Sequence, residues 1–407
     1  MKILIISQYA GAPEMGMVLR NHNWASEFIR LGHQCTIIAA SYSHYRQKNK
    51  NIVGKKLEEE NIDKITYYWL KTLSYDGKNN ILRLFSIFQF QSRLSLFLKK
   101  LQTDYDLVVV SSPHPFQIYP AHKFCKKCKA KLIFDIRDLW PLTLQKIGKL
   151  AAYHPLIILL KYAEKYALQN ADLVTAVPQN SKKYLVNNGM NPSCFLAIGN
   201  SFNERILYDY SPLKKTIKEY LTNLKKKGFN LIGYCGSLGL ANSMDTAIES
   251  ISRTRNEKIN LIICGEGSKK EELKLLAKRL NIKKRVHFLE FIPHNQIASF
   301  LSFMDVCYAG GLKSTLYDHG ASLTKINDYM ASEKPIIYAL GDPKNTVEKS
   351  GCGICCEPEN VKEIARAMDR MASMDNNQLR LMGKKGKPWI LKYQTIQSQI
   401  KLILDSL

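Results

Sequence analysis

The chain has 407 residues, more than the ~250 to 300 at which a single core stops growing, so two domains of roughly 200 residues are expected. Its 45% hydrophobic and 23% charged residues exclude a disordered chain and a disulfide scaffold. The formal charge of +24 calls for an anionic partner, and both halves carry it: 27 Lys and Arg against 13 Asp and Glu over residues 1–200, and 32 against 22 beyond.

A membrane surface, a lipid diphosphate or a nucleotide sugar would each meet that charge. No basic tail, RGG tract, zinc-finger spacing or aromatic ribonucleoprotein motif accompanies it, so a nucleic acid is not the expected partner. The ten cysteines are scattered, several inside apolar runs, and read as reduced, mostly buried cytosolic thiols.

The opening apolar run, residues 3–6, is too short for a secretory signal, and no later stretch approaches the ~20 apolar residues of a membrane span. The chain is expected to be neither exported nor membrane-spanning. After a first strand (3–7), Gln8 to Gly16 is too loose for a dinucleotide GxGxxG turn. Gly11 and Gly16, with Arg20 just inside a helix expected over 18–31, suit a lid over a substrate.

Further strands are expected at 35–39, 107–111, 131–135 and 173–176. Residues 77–103 lack any acid and interleave Lys78, Arg83, Arg93, Lys99 and Lys100 with Phe and Leu, as in a helix lying in an anionic membrane interface. His114, after the strand at 107–111, is expected to be a solvated strand-end residue or a sugar contact. His122, Cys125 and Cys128 have metal-like spacing without a fourth ligand, so no metal is expected there.

The segment Asp135-Ile136-Arg137-Asp138-Leu139-Trp140-Pro141 ends a strand with three charges. Arg137 could contact phosphate or sugar and Asp138 could accept sugar hydroxyls. A structural Arg-Asp pair is the plainer reading.

Residues 187–212 break both helix and strand periodicity and place a domain boundary near 200. Strands follow at 231–235, 260–264, 286–289, 306–309, 336–339 and 353–356. Continuous apolar strands alternating with helices mean parallel sheets covered on both faces, here two doubly wound α/β domains. The expected division is 1–200, 201–385, and a carboxy-terminal helix, 386–407, packing back on the first domain.

In the second half Gly236-Ser237-Leu238-Gly239 lets backbone approach a diphosphate, and Gly265-Glu266-Gly267 turns a second strand tip. The segment 319–337 opens a helix at Ser322 or Thr324. Lys325 and Asp328 then share one face near its amino end, where the dipole favours phosphate. Lys325 would meet the diphosphate and Asp328 the ribose diol. No Asp-x-Asp at a strand end asks for a metal ion.

At these residues the chain resembles the retaining, family 4 glycosyltransferases of GT-B fold, especially bacterial surface-polysaccharide members. Asp135 to Pro141 and Ser322 to Ala331 carry the likeness, with Leu323 and Thr324 in place of the usual Pro and Asn. Gly32-His33, Asn170-Ala171-Asp172, Gly236 to Gly239, Gly265 to Gly267 and Phe288 to Pro293 extend it.

The resemblance implies two Rossmann-like domains facing a central cleft, with Phe291 and Ile292 joining the nucleotide contacts. It implies a UDP-sugar donor and points toward an N-acetylated deoxy amino sugar of the N-acetylfucosamine or N-acetylquinovosamine type. The acceptor would be a polyprenyl-diphosphate-linked saccharide at the inner face of the cell membrane, in O-antigen or capsule synthesis. Two departures stand out: Gly320 and Asp328 occupy the places of the family's two Glu, and Gly236 to Asn242 contains no base. Phosphate neutralisation then falls to Lys325, backbone amides and Arg137 or Arg20, which together with Asp138 complete the expected site. A UDP-sugar epimerase of the same fold and a basic nucleic-acid-binding protein are the rival readings.

Overall fold

The computed structural model describes residues 1–16, 19–75, 80–202, 204 and 210–407. The chain forms two compact units, residues 1–201 with 396–407, and residues 202–395.

The first unit is a mixed eight-stranded sheet. Its strands are β1 (Lys2–Ile6), β2 (Gln34–Ala40), β3 (Leu57–Ile62), β4 (Ile65–Leu70), β5 (Leu107–Ser111), β6 (Lys131–Ile136), β7 (Leu173–Ala176) and β8 (Phe195–Ala197), in the order β3-β4-β2-β1-β5-β6-β7-β8. The helices are α1 (Arg20–Arg30), α2 (Asn80–Lys100), α3 (Ile118–Cys128), α4 (Leu142–Lys146), α5 (Pro155–Asn170) and α6 (Lys182–Asn187). Ile3, Ile5, Val109 and Ile133 are buried under Trp24 and Phe28 of α1, as a doubly covered parallel sheet requires.

Three strands of this unit depart from expectation. β3 and β4 form an antiparallel hairpin through Asp63 and Lys64, both at positive φ (53° and 67°), so the sheet is not wholly parallel. The acids Glu58, Glu59 and Glu60 hid β3, but charge is what keeps an edge strand from pairing with other chains. The third, β8, sits inside the stretch whose composition argued only for a linker.

The second unit has β9 (Asn230–Cys235), β10 (Ile259–Cys264), β11 (Val286–Leu289), β12 (Val306–Gly310), β13 (Ile336–Ala339) and β14 (Gly353–Cys355), all parallel, in the order β11-β10-β9-β12-β13-β14. Counted within the unit this is 3-2-1-4-5-6, the doubly wound order, with its switch point between β9 and β12. Its helices are α7 (Lys215–Lys226), α8 (Met244–Arg253), α9 (Lys270–Arg279), α10 (Ile297–Ser302), α11 (Thr324–Ala331), α12 (Thr346–Ser350), α13 (Val361–Ala372), α14 (Asn376–Lys384) and α15 (Gly386–Tyr393). Successive strand residues feed two cores, Leu231 and Cys235 on one face, Ile232 and Tyr234 on the other.

The expected single terminal helix is two. In α15, Ile390 is buried in the second unit's core, whereas α16 (Ile396–Asp405) buries Ile400 and Ile403 against α1 in the first. Cys355, expected to be a core filler, is exposed; Cys352 and Cys356 are buried.

Candidate active site

In a doubly wound sheet ligands bind beyond the carboxyl ends of the strands at the switch point. In the second unit that point lies between the loop after β9 and the segment leading from β12 into α11. The loop after β9 rests on the turn after β10: Gly236 N–H donates to the Cys264 carbonyl at 3.0 Å and Leu238 N–H to that of Glu266 at 2.8 Å. A Cβ on Gly265 would fall on the Gly236 carbonyl oxygen, and one on Gly267 on that of Leu238. These glycines are therefore required by backbone packing between the two loops. Glu266 turns its carboxylate to Lys270 at 2.6 Å.

Lys325, in the first turn of α11, reaches back to the loop after β9. Its Nζ donates to Tyr234 Oη at 3.0 Å and Asn242 Oδ1 at 2.7 Å, and lies 4.4 Å from the Tyr234 ring centroid. Tyr234 Oη donates to the Ser237 carbonyl at 2.7 Å, and Asn242 Nδ2 to Ser237 Oγ at 3.0 Å. Gly236 has φ 154°, and a Cβ there would sit 3.0 Å from Lys325 Cε. The loop and the lysine are thus one braced assembly.

Among the described residues no carboxylate pairs with Lys325, whose partners Tyr234 Oη and Asn242 Oδ1 are neutral, and loss of hydration pushes its ammonium down to about 7. A cation held near the sheet without a counter-charge would be restored by an anion. The amino end of α11 adds the helix dipole: Leu323, extended, gives no side-chain cap. Ser322 precedes this end, and the helix opens at Thr324.

Asp328, one turn on, accepts from His294 Nε2 at 3.3 Å, and this contact raises the imidazole above its usual pKa. Ile292 is buried, whereas Phe291 is exposed. Gly320 has φ 94°, a conformation that disfavours the family's Glu at that place. Tyr329 anchors the helix from below, its Oη accepting from Cys235 N–H at 2.9 Å. The sequence reading missed Tyr234, Asn242, His294 and Tyr329. Tyr234 and Asn242 flank the glycine loop it did identify, and polar groups in a loop without a base were the available signal.

Gly11, Arg20, Arg137 and Asp138 belong to the first unit. Arg20 is not a lid residue. It is buried at the start of α1 and donates to Asp135 through Nε (3.2 Å) and a terminal nitrogen (3.0 Å), and to the Gly199 carbonyl at 2.8 Å, so protein acceptors occupy its fork. Val18, the first residue of the expected helix, lies outside the described residues. Gly11 is buried, its carbonyl accepting from Tyr67 Oη at 3.4 Å.

Arg137 N–H donates to Ser112 Oγ at 2.8 Å, with its side chain half-buried, and Asp138 is exposed. His114 is not solvated: it is buried, 2.5 Å from Gln8 Oε1, and burial pushes its pKa down to about 3. His122 pairs with Tyr166 Oη at 2.8 Å. An Asp-x-Asp does occur, Asp104 to Asp106, but at the amino end of β5, where Asp106 accepts from Lys2 N–H at 2.6 Å.

Comparison with known proteins bears on both units. Residues 16–203 match the model of Glycosyltransferase Family 4, and residues 217–389 that of Glycosyl transferases group 1. The chain is a glycosyltransferase built from these two domains. It is 20% identical over 278 residues to the probable glycosyltransferase WbjE of Pseudomonas aeruginosa, covering 67% of this chain and 68% of that protein.

The transferase shares its GT-B fold with solved structures of low identity. Sucrose-phosphate synthase of Thermosynechococcus elongatus is 15% identical with a TM-score of 0.70, covering 99% of this chain and 97% of that one. The trehalose-6-phosphate enzyme of E. coli, bound with UDP-2-fluoro glucose, is 13% identical with a TM-score of 0.75, covering 100% and 98%. Anabaena HepE in complex with UDP and glucose is 14% identical with a TM-score of 0.67, each chain covered in full.

Proposed function

We propose that this glycosyltransferase takes a sugar from UDP and adds it, with retention at the anomeric carbon, to a polyprenyl-diphosphate-linked saccharide of a surface polysaccharide. The observation carrying this reading is Lys325, a cation without a carboxylate partner, braced by Tyr234 and Asn242 beside the glycine loop and at the amino end of α11. The UDP in the HepE and trehalose-6-phosphate enzyme structures supports the nucleotide, and the likeness to the probable glycosyltransferase WbjE supports the transfer. An N-acetylated deoxy amino sugar is the proposed donor sugar.

In this reading the diphosphate lies against the Gly236 to Gly239 amides and those of Thr324 and Lys325, with Ser322 and Leu323 at the helix entry. Charge grows on the departing phosphate as the glycosidic bond breaks. Lys325 and the dipole stabilise that charge while the acceptor hydroxyl attacks from the same face. Asp328 takes the ribose hydroxyls, and Phe291 and Ile292 flank the base. Arg137 and Asp138 are the proposed contacts to the sugar or the acceptor. No metal is needed in this scheme, because Lys325 supplies the positive charge; transfer undiminished by EDTA is the expected result.

Incubation with labelled UDP-sugars and a polyprenyl-diphosphate saccharide tests the proposal. Label in the lipid supports it. Epimerised free nucleotide, the outcome for an epimerase, would replace it, as would transfer to a nucleic acid or protein.

A further inference from the structure

We infer that the layer of α2, α3 and α5 on the first unit is a bilayer-docking face, with the amino-terminal halves of α2 and α5 as its apolar anchor. The inference rests on the lipid-linked acceptor proposed above. Leu84 and Ile87 of α2 and Leu156 and Leu160 of α5 belong to one small core with Phe116, and α3 packs against both helices. Their outward residues remain apolar: Ile81, Phe85 (59% exposed) and Phe88 on α2, Ile158, Leu159 and Tyr162 (68%) on α5.

A soluble helix would put polar residues there. Gly77 to Asn79, the start of the basic stretch recognised in the sequence, lies outside the described residues, whereas the role of α5 was not legible from its composition alone.

Charge specifies the occupant. The three helices carry nine Lys and Arg and a single acid, Glu164, which is buried. α3 packs against both neighbours and exposes Lys123, Lys126 and Lys127, while Lys161 and Lys165 share the exposed stripe of α5 with Ile158 and Tyr162. An apolar ridge flanked by lysines, without an exposed carboxylate, complements an anionic lipid surface.

Placement agrees with the chemistry. Phe116 follows β5 and Trp140 follows β6 just beyond their carboxyl ends, and both pack in the small core shared by α2 and α5, so these apolar turns lie toward the edge of the sheet where ligands bind. A lipid-tethered diphosphate would emerge there. Among the described residues no helix is long and apolar enough to cross a membrane.

Flotation with vesicles of phosphatidylcholine alone or mixed with phosphatidylglycerol tests the face. The full chain is expected to float with the mixed vesicles at low salt and to be released by high salt. Replacing Ile158, Leu159 and Tyr162 together by Ser should weaken partition at least about tenfold, the effect of losing ~1.4 kcal/mol of apolar burial. Lys123→Glu with Lys126→Glu should weaken it on mixed vesicles. UDP affinity should stay unchanged in both, since the second unit is untouched.

Tyr162→Trp, a mild change, should gain quenching by bromine-tailed lipid above the wild-type background, and it decides the matter if the triple variant fails to fold. Absence of wild-type flotation at low salt, equal partition of wild type and folded triple variant, or no added quenching overturns the inference. Flotation without transfer to any lipid-linked acceptor would instead overturn the function while leaving the docking face standing.

Discussion

The guanidinium of Arg20 and the carboxylate of Asp135 face each other in two parallel hydrogen bonds, both side chains buried. Asp135 also accepts from Ser111 Oγ (2.8 Å) and Thr175 Oγ1 (2.9 Å), so one carboxylate ties α1 to β5, β6 and β7. The pair is satisfied on every side, which is how a buried charge survives desolvation.

Arg20→Ala should therefore act on stability. Leaving Asp135 unpaired should cost about 3 to 5 kcal/mol, read by denaturant unfolding, with UDP affinity unaltered in the folded fraction. The Arg20 fork holds Asp135 below the usual carboxylate range against the effect of its burial. A group lowered on folding contributes stability above its unfolded pKa of about 3.9 and loses it as pH falls through the folded value. Acid unfolding of Asp135→Asn should show a shallower dependence below that pH. A loss of UDP binding without loss of stability in Arg20→Ala would return Arg20 to the ligand site.

Lys325→Ala should lower turnover more than nucleoside binding. Uridine should bind nearly as to wild type, while UDP binds more weakly. Because the free ammonium lies at about 7, UDP binding above that pH should take up a proton, and affinity should decline with rising pH. Calorimetry in buffers of different ionisation enthalpy reads the uptake. For stability the sign is opposite: the native state binds fewer protons than the unfolded one between about 7 and 10.5, so the group's destabilising effect fades as pH rises and is absent in Lys325→Met. Full transfer by Lys325→Ala would assign the diphosphate elsewhere, with Arg137 next to examine.

For Asp328→Ala, UDP affinity should fall by roughly 1.5 to 3 kcal/mol, the range of a hydrogen bond to a charged group. His294 should titrate above 6.5 in the wild type and lower once Asp328 is removed, because that carboxylate holds its proton. Calorimetry with UDP and an NMR pH titration of the imidazole separate the two effects. Unchanged affinity in the folded variant removes Asp328 from the ribose site.

Glu164 makes a prediction about pH alone. It is buried between α5 and α6, where Tyr184 Oη donates to it at 3.0 Å, and burial pushes it up to about 8. The folded state keeps a proton that the unfolded state releases near pH 4.5. Its contribution is thus complete below 4.5 and lost as pH rises to about 8, at a slope of up to about 1.4 kcal/mol per pH unit. Glu164→Gln should flatten this decline and be the more stable form at pH 8.5, measured by thermal unfolding. Parallel pH profiles would mean that Glu164 ionises normally in the fold.

The sequence by itself determined the doubly wound units, because buried parallel strands write themselves as unbroken apolar runs such as Val108 to Val110 and Leu261 to Ile263. It also determined the glycine loop at 236–239 and the Lys325 and Asp328 pair, since a loop that backbone must approach and a helix face both have fixed spacing. It could not determine what side chains far apart in the chain do together. Arg20 and Asp135, separated by 115 positions, looked like a lid and a cluster of strand-end charge. His114 looked solvated until Gln8 closed over it. Lys325 gained Tyr234 and Asn242 only through the parallel neighbours β9 and β12. Desolvation and hydrogen-bond geometry depend on three-dimensional proximity, so burial of a charge, the tilt of its pKa and the partner that compensates it were decided by the tertiary structure alone.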